Sequence, residues 1–373
     1  MIKKIAIIGG GIAGLTAAIG LKHSGFAITV FEKAKQFSPL GGDIPLWPNG
    51  LRVLDKFGLY QKIKAKSGCY PFISIGNEAG DLISKTMVDD FHKIAPYDPI
   101  NICRHELQAI QLAALESEEI ILDKTCIRIE ETEEHVIAHF HDGSKFAADL
   151  LIGADGAFSF IRNHIEPEYK LEYTGYLSLG GISELPYHIR HNLIFGQYLS
   201  GNFPVDGNKH MIFFICKHAD CDIHQTYPLL ADQLGLFRNH APILNEMLDN
   251  LEQSINKNHG LKNYFFVKNY NLQPLNRWSK NRIVLISDAA HLVGSILGCA
   301  TSVSLEGVEM LIECLNQSPD NYSIALKKYE VLHKPRATRL LSLERKLAEM
   351  LNKNELGDYP SFSDDLISCL KSY

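Results

Sequence analysis

No stretch of this 373-residue sequence holds about 18 consecutive apolar residues, so nothing in it reads as a membrane-spanning helix. Its eight cysteines include no CxxC pair, and its sixteen histidines include no HExxH pattern. These absences argue against a disulfide framework, a zinc site and metalloprotease chemistry, so no metal is expected and reduced thiols in a cytoplasmic protein are. No basic tract interrupts a net charge of −6, which excludes nucleic acid as an expected partner. The apolar start lacks a cleavage site of small residues and reads as a first strand rather than a signal peptide. Internal repeats and low-complexity segments are absent too.

What is present begins at once. Residues 1–14 read as a buried strand that runs directly into a glycine turn, Gly9-Gly10-Gly11-Ile12-Ala13-Gly14, with Gly9, Gly11 and Gly14 in the GxGxxG spacing. A helix-forming run follows, and a second apolar strand, Ala27 to Phe31, ends at Glu32. Strand, turn, helix, strand and acid make the dinucleotide-binding fingerprint. The helix N-terminus offers free N–H groups to a pyrophosphate, and the acid can hold ribose hydroxyls.

Further along, the pattern predicts helices over about 50–66, 104–117, 228–256, 302–316 and 321–352. It predicts a strand pair within 70–90 and a three-strand pattern at 125–131, 136–140 and 149–152. Short aromatic-rich strands follow over 172–218, then a buried strand at 282–286. Two strands that read as buried end in acids: Leu151-Ile152-Gly153-Ala154-Asp155-Gly156, and Arg282 to Ile286 before Ser287-Asp288-Ala289-Ala290-His291. Asp155 and Asp288 could each be an ordinary helix N-cap. At the carboxyl ends of strands, they also sit where α/β sheets bind ligands.

These segments, with Trp47-Pro48-Asn49-Gly50, Arg104, Tyr173-Thr174-Gly175-Tyr176, Phe203-Pro204-Val205 and Pro335-Arg336, resemble the FAD-dependent aromatic hydroxylase family. These are the single-component flavoprotein monooxygenases related to para-hydroxybenzoate hydroxylase. The resemblance implies an α/β fold with a Rossmann-like FAD-binding domain (1–70, 100–172, 270–320). Interleaved with it would be a mainly antiparallel substrate domain (71–99, 173–269), followed by C-terminal helices (321–373). It implies that FAD is held by Gly9, Gly11, Ile12, Ala13, Gly14, Glu32, Lys33, Arg104, Asp155, Asp288, Gly298, Ala300 and Thr301. Tyr176, Phe203, Pro204 and Phe213 would face a substrate, and NADPH or NADH would dock transiently near Asp155 and Arg162. The implied activity is hydroxylation of a small aromatic or planar heterocyclic compound by O2 through a flavin C4a-hydroperoxide, in a monomer or homodimer.

The sequence departs from the family pattern at two segments. Leu179-Gly180 stand where many relatives have an arginine or tryptophan that contacts substrate, so no anionic substrate is implied. The second segment follows Ile286. Ser287 replaces the glycine of Gly-Asp-Ala-Ala-His, Ser295 replaces a proline, and Cys299-Ala300 replaces the Gln-Gly of Gly-Gln-Gly. Ser295 adds an N–H that needs a partner, and Ala300 adds a methyl group where backbone and flavin approach closely. An FAD oxidase or reductase with impaired oxygenation, or a flavin-binding sensor without turnover, is therefore the alternative. Cys299 reads as a small buried residue rather than a redox thiol, because no CxxxxC pair accompanies the first helix.

Overall fold

The computed structural model describes residues 3–37, 42–185, 191–196, 198–238, 241–257, 264–294, 296–353 and 359–371. At its centre is a six-stranded sheet ordered Ser279–Lys280, Ile283–Leu285, Leu150–Gly153, Lys4–Ile8, Ala27–Phe31, Ile120–Ile121. Every pairing in it is parallel except that of Ser279–Lys280. Residues 5–8 and Leu150–Gly153 are continuous apolar runs because the sheet is covered by helices and by the antiparallel strands Cys126–Glu131, Val136–Phe140 and Lys145–Ala148, whose Phe140 and Phe146 pack on Phe31. Behind it lie Ile12–His23, Ala300–Gln317 and Tyr322–Lys353.

A seven-stranded sheet is the second layer, ordered Tyr264–Leu272, Leu171–Ser183, Lys209–Lys217, Leu199–Asp206, Leu193–Phe195, Phe72–Asn77, Leu82–Met87. It is antiparallel apart from the pairing of Leu193–Phe195 with Phe72–Asn77. One face is closed by the helix Pro242–Lys257, whose Leu244, Met247, Leu248 and Leu251 pack on Leu177, Leu179, Ile212 and Phe214. A small antiparallel sheet is ordered Asp43–Leu46, Ile100–Cys103, Ser67–Cys69.

Several expected elements change shape. The helix expected over 50–66 is two, Pro48–Lys56 and Tyr60–Lys64, parted by Gly58 at φ +74°. That expected over 228–256 is also two, Leu230–Gly235 and Pro242–Lys257, since a proline opens the second. The three-strand pattern is completed by Lys145–Ala148, while Leu150–Gly153 leaves it for the central sheet beside the first strand. The strand Tyr264–Leu272 and the helix Tyr359–Leu370 add to the sequence reading.

The C-terminal helices are tied on by one buried ion pair. Arg336 donates to both Glu306 oxygens at 2.6 and 2.8 Å and to the carbonyls of Cys369 and Leu370 at 2.5 and 2.7 Å. An R336A substitution leaves Glu306 charged and unpaired in the interior. It should cost about 3–5 kcal/mol of unfolding free energy by urea titration.

Candidate active site

The first turn is built by two glycines that have no room and one that has ample room. Gly9 adopts φ +114°, and a Cβ on it would stand 2.3 Å from the carbonyl oxygen of Ala154. A Cβ on Gly14 would stand 2.0 Å from the carbonyl oxygen of Gly9, whereas one on Gly11 would meet nothing within 4 Å. Gly9 and Gly14 thus lock helix to strand, and Gly11 leaves its side of the turn open. The helix Ile12–His23 starts at Gly11 with no side-chain cap, so the N–H groups of Ile12, Ala13 and Gly14 keep their hydrogen-bonding capacity and the positive end of the helix dipole.

That turn forms one wall of a cavity of about 520 Å³, bounded also by Glu32, Lys33, Arg104, Gln108 and Asp155. Glu32 is half-buried and already engaged: its two oxygens accept the N–H groups of Gly10 and Ala34 at 2.8 and 2.9 Å. It braces the turn while lining the cavity. Lys33 is exposed at the rim. Arg104 opens the helix Arg104–Leu112, and its guanidinium makes no hydrogen bond or ion pair among the described residues. One turn on, Gln108 donates to the carbonyl of Gly10 at 2.9 Å. The sequence reading missed Gln108; its i+4 spacing from Arg104 was the available signal.

Asp155 accepts the Ser159 hydroxyl at 2.5 Å and the Ile161 N–H at 3.1 Å, so it organises the start of the helix Phe160–Ile165 as well as lining the cavity. Burial pushes its carboxyl up, and those bonds oppose the shift. Arg162 corrects an expectation. Its side chain is wholly buried, stacked 4.2 Å over Tyr169, and it cannot reach a docking nicotinamide. It donates instead to the carbonyls of Asp288 and Ala289 at 3.2 and 3.3 Å and to that of Ala157, joining the two acid-bearing turns.

Asp288 therefore lies just past the end of the strand Ile283–Leu285, in the field of both Arg162 and Arg104. Burial raises its carboxyl to about 6, and the two guanidiniums pull the other way. Beside it Ser287, at the position of the family glycine, takes a left-handed φ of +54° and donates its hydroxyl to Ser304 at 2.9 Å.

Gly298 also needs its glycine: φ is +64°, Pro45 lies 3.3 Å from where a Cβ would be, and Trp47 Nε1 donates to its carbonyl at 3.1 Å. Ala300 is the first residue and Thr301 the second of the helix Ala300–Gln317, which has no side-chain cap and so presents free N–H groups. Cys299 is fully buried and its thiol is held well above the ordinary range, as an inert packing residue. Ser295 lies outside the described residues.

The proposed substrate wall is partly assembled. Tyr176 and Phe213, and from the segment before Gly298 also Ile296, pack on the cluster Ile75, Phe195, Leu199 and Ile215. Phe203 lies parallel to Phe213 at 6.4 Å between ring centroids, with Tyr70 edge-on at 5.6 Å. Pro204 contributes backbone, which closes over Gly68. Behind Tyr70 is a buried polar chain absent from the sequence reading: its hydroxyl reaches Asn101 at 3.4 Å, and Asn101 donates to Asp43, whose carboxyl burial raises to about 7. An acid with that affinity can hold or release a proton near neutrality.

A mostly parallel sheet with an uncapped glycine turn, an unpaired arginine and a second acid-bearing strand end defines a dinucleotide-binding fold. A family model described as an FAD binding domain matches residues 3–187. The 3-amino-4-hydroxybenzoate 2-monooxygenase of Streptomyces cremeus is 30% identical over 373 aligned positions, covering 97% of this chain and 90% of that protein. The FAD-dependent urate hydroxylase of Klebsiella oxytoca is 25% identical, covering 95% and 92%. The structure of Klebsiella pneumoniae HpxO complexed with FAD and uric acid superposes with a TM-score of 0.85 at 23% identity, over 100% of this chain and 93% of that one. The chain belongs to the FAD-dependent aromatic hydroxylase family, the flavoprotein monooxygenases related to para-hydroxybenzoate hydroxylase.

Two variants test the second turn. S287G relieves a left-handed non-glycine residue at about 1–2 kcal/mol and forfeits one hydrogen bond. A net gain of about 0.5 kcal/mol in apoprotein stability is expected by denaturant titration. For Asp288 the folded carboxyl holds its proton more tightly than an unfolded aspartate does at its ordinary 3.8, so its ionisation subtracts stability as pH rises from about 4 to about 7. The D288N apoprotein should exceed the parent by about 1 kcal/mol at pH 8, with the gap closing below pH 5 in pH-resolved unfolding.

Proposed function

We propose that the protein is an NAD(P)H-consuming monooxygenase that hydroxylates a small aromatic or planar heterocyclic compound. The observation that carries this reading is the fit of the cavity to FAD. The Gly11 side of the turn has space where a Cβ would be, the first helix is uncapped, and Arg104 is an unpaired cation beside them. That donor set suits a pyrophosphate, with Glu32 and Asp155 at the same cavity. Bound FAD supplies the redox chemistry by which electrons from a nicotinamide are used with O2.

The chain's own residues do the rest. The free N–H groups at Ala300 and Thr301, with the positive end of an 18-residue helix, stabilise negative charge next to Gly298, a contribution of about 2 kcal/mol when partly buried. Tyr176, Phe203 and Phe213 present apolar ring surface that orients a planar molecule and excludes water. The Asp43–Asn101–Tyr70 chain places a proton acceptor behind that surface. Only one GxGxxG occurs in the sequence, so the reductant docks without a nucleotide-binding fold of its own. The relatives named for 3-amino-4-hydroxybenzoate and for urate support a ring-bearing substrate.

The test is an oxygen and product assay on FAD-loaded protein with NADPH or NADH, against phenols, hydroxypyridine carboxylates and purines. A matching compound should accelerate nicotinamide oxidation about tenfold or more and yield hydroxylated product in proportion. Peroxide equal to the nicotinamide consumed with every compound would replace this reading with the oxidase one. FAD that no nicotinamide reduces would replace it with the sensor.

A further inference from the structure

Between His291 and Cys299 the described backbone carries no helix or strand, yet it links the Asp288 turn to the helix Ala300–Gln317. Besides Trp47, which donates to the Gly298 carbonyl, a second side chain from elsewhere in the chain grips it. Glu344, in the middle of the helix Tyr322–Lys353 and 4% exposed, accepts the N–H of Ile296 on Oε1 at 3.0 Å and that of Leu297 on Oε2 at 3.1 Å. Gly294 is pressed against the same carboxylate, so that a Cβ there would stand 2.2 Å from Oε1. A bidentate carboxylate on two consecutive amides fixes both the position and the tilt of the intervening peptide.

That peptide joins the proposed site on one side to the C-terminal helices on the other. Ile296 packs on the same cluster as Tyr176 and Phe213, and Leu297 leads into Gly298, which Pro45 and Trp47 touch. From behind, Val293, Leu297 and Cys299 share a cluster with Leu340, Leu343 and Leu366 of the C-terminal helices. We infer that Glu344 is a positioning residue of the active site: its carboxylate holds the 296–298 backbone at the distance from the substrate wall that productive oxygen transfer requires. The inference rests on the monooxygenase reading for its consequence, and on the two hydrogen bonds for its geometry.

The experiment compares wild type with E344Q, E344D and the exposed-site control E349Q. In apoprotein, hydrogen exchange at the Ile296 and Leu297 amides should accelerate at least about tenfold in E344Q, because a carboxamide retains one acceptor and turns an N–H₂ toward the second donor. E344D, with a shorter arm, should also accelerate, and E349Q should match wild type. In FAD-loaded E344Q at unchanged flavin content, the ratio of hydroxylated product to nicotinamide consumed should fall several-fold, with kcat affected more than KM. Unchanged exchange in E344Q would overturn the clamp. Faster exchange with an unchanged product ratio would overturn its link to the site. Should wild type hydroxylate nothing, the monooxygenase reading fails, while the exchange data still judge the clamp.

Discussion

A single buried guanidinium holds the candidate site together. Arg162 reaches from the helix after the first acid-bearing turn to the carbonyls of the second, 126 and 127 residues further along the chain. A planar cation with several fixed donors can bind three carbonyl oxygens at once, and burial strengthens each bond by removing water as a competitor. Without that link, the Gly153–Gly156 turn and the Ser287–Ala290 turn would be two loop ends on neighbouring strands. With it, the carboxylates of Asp155 and Asp288 are held in a fixed relation, and Asp288 feels both Arg162 and Arg104. The cost is visible: a serine in left-handed backbone and a carboxyl displaced from its ordinary affinity stand side by side at the same turn. Strain of this kind, concentrated where a ligand is expected, is the pattern of a surface arranged for binding rather than for its own stability.

Local signals were legible in the sequence, and non-local ones were not. The glycine turn, the acid after the second strand and the strand ends at 153 and 286 follow from spacing alone, because each is decided within a few residues. The fate of Leu150–Gly153 does not. Only Asp149 separates it from Lys145–Ala148, and nothing in so short a joint marks the passage from an antiparallel sheet to a parallel one. The strand Tyr264–Leu272 escaped because Lys268, Asn269 and Asn271 blur its alternation.

Among site residues, chemical type misled where partners were distant. Arg162 carries a charge that looks available, and its burial appears only when the 287–290 turn is folded against it. Glu32 reads in the sequence as the acid of the fingerprint, and its grip on Gly10 and Ala34 gives it a part in shaping the turn that no spacing announces. Glu344 gave no signal, since the amides it holds are 47 and 48 residues away and carry no side-chain signature. The altered 295–302 segment looked, from the sequence, like a loss of rigidity. The fold answers it from outside the segment with a buried carboxylate and two C-terminal helices.

The strand order of the central sheet bears on how the chain reaches this state. The first strand pairs with residues 27–31 on one side and 150–153 on the other, and 150–153 then waits for 283–285. As the chain emerges from the ribosome, the apolar edge Leu150-Leu151-Ile152 has no neighbour until well over a hundred further residues are made. The intervening segment meanwhile builds most of the other sheet. Such an edge invites pairing with other chains, and late, distant contacts of this sort fold slowly. The nucleotide half, though it begins at the amino terminus, is thus among the last parts of the molecule to close.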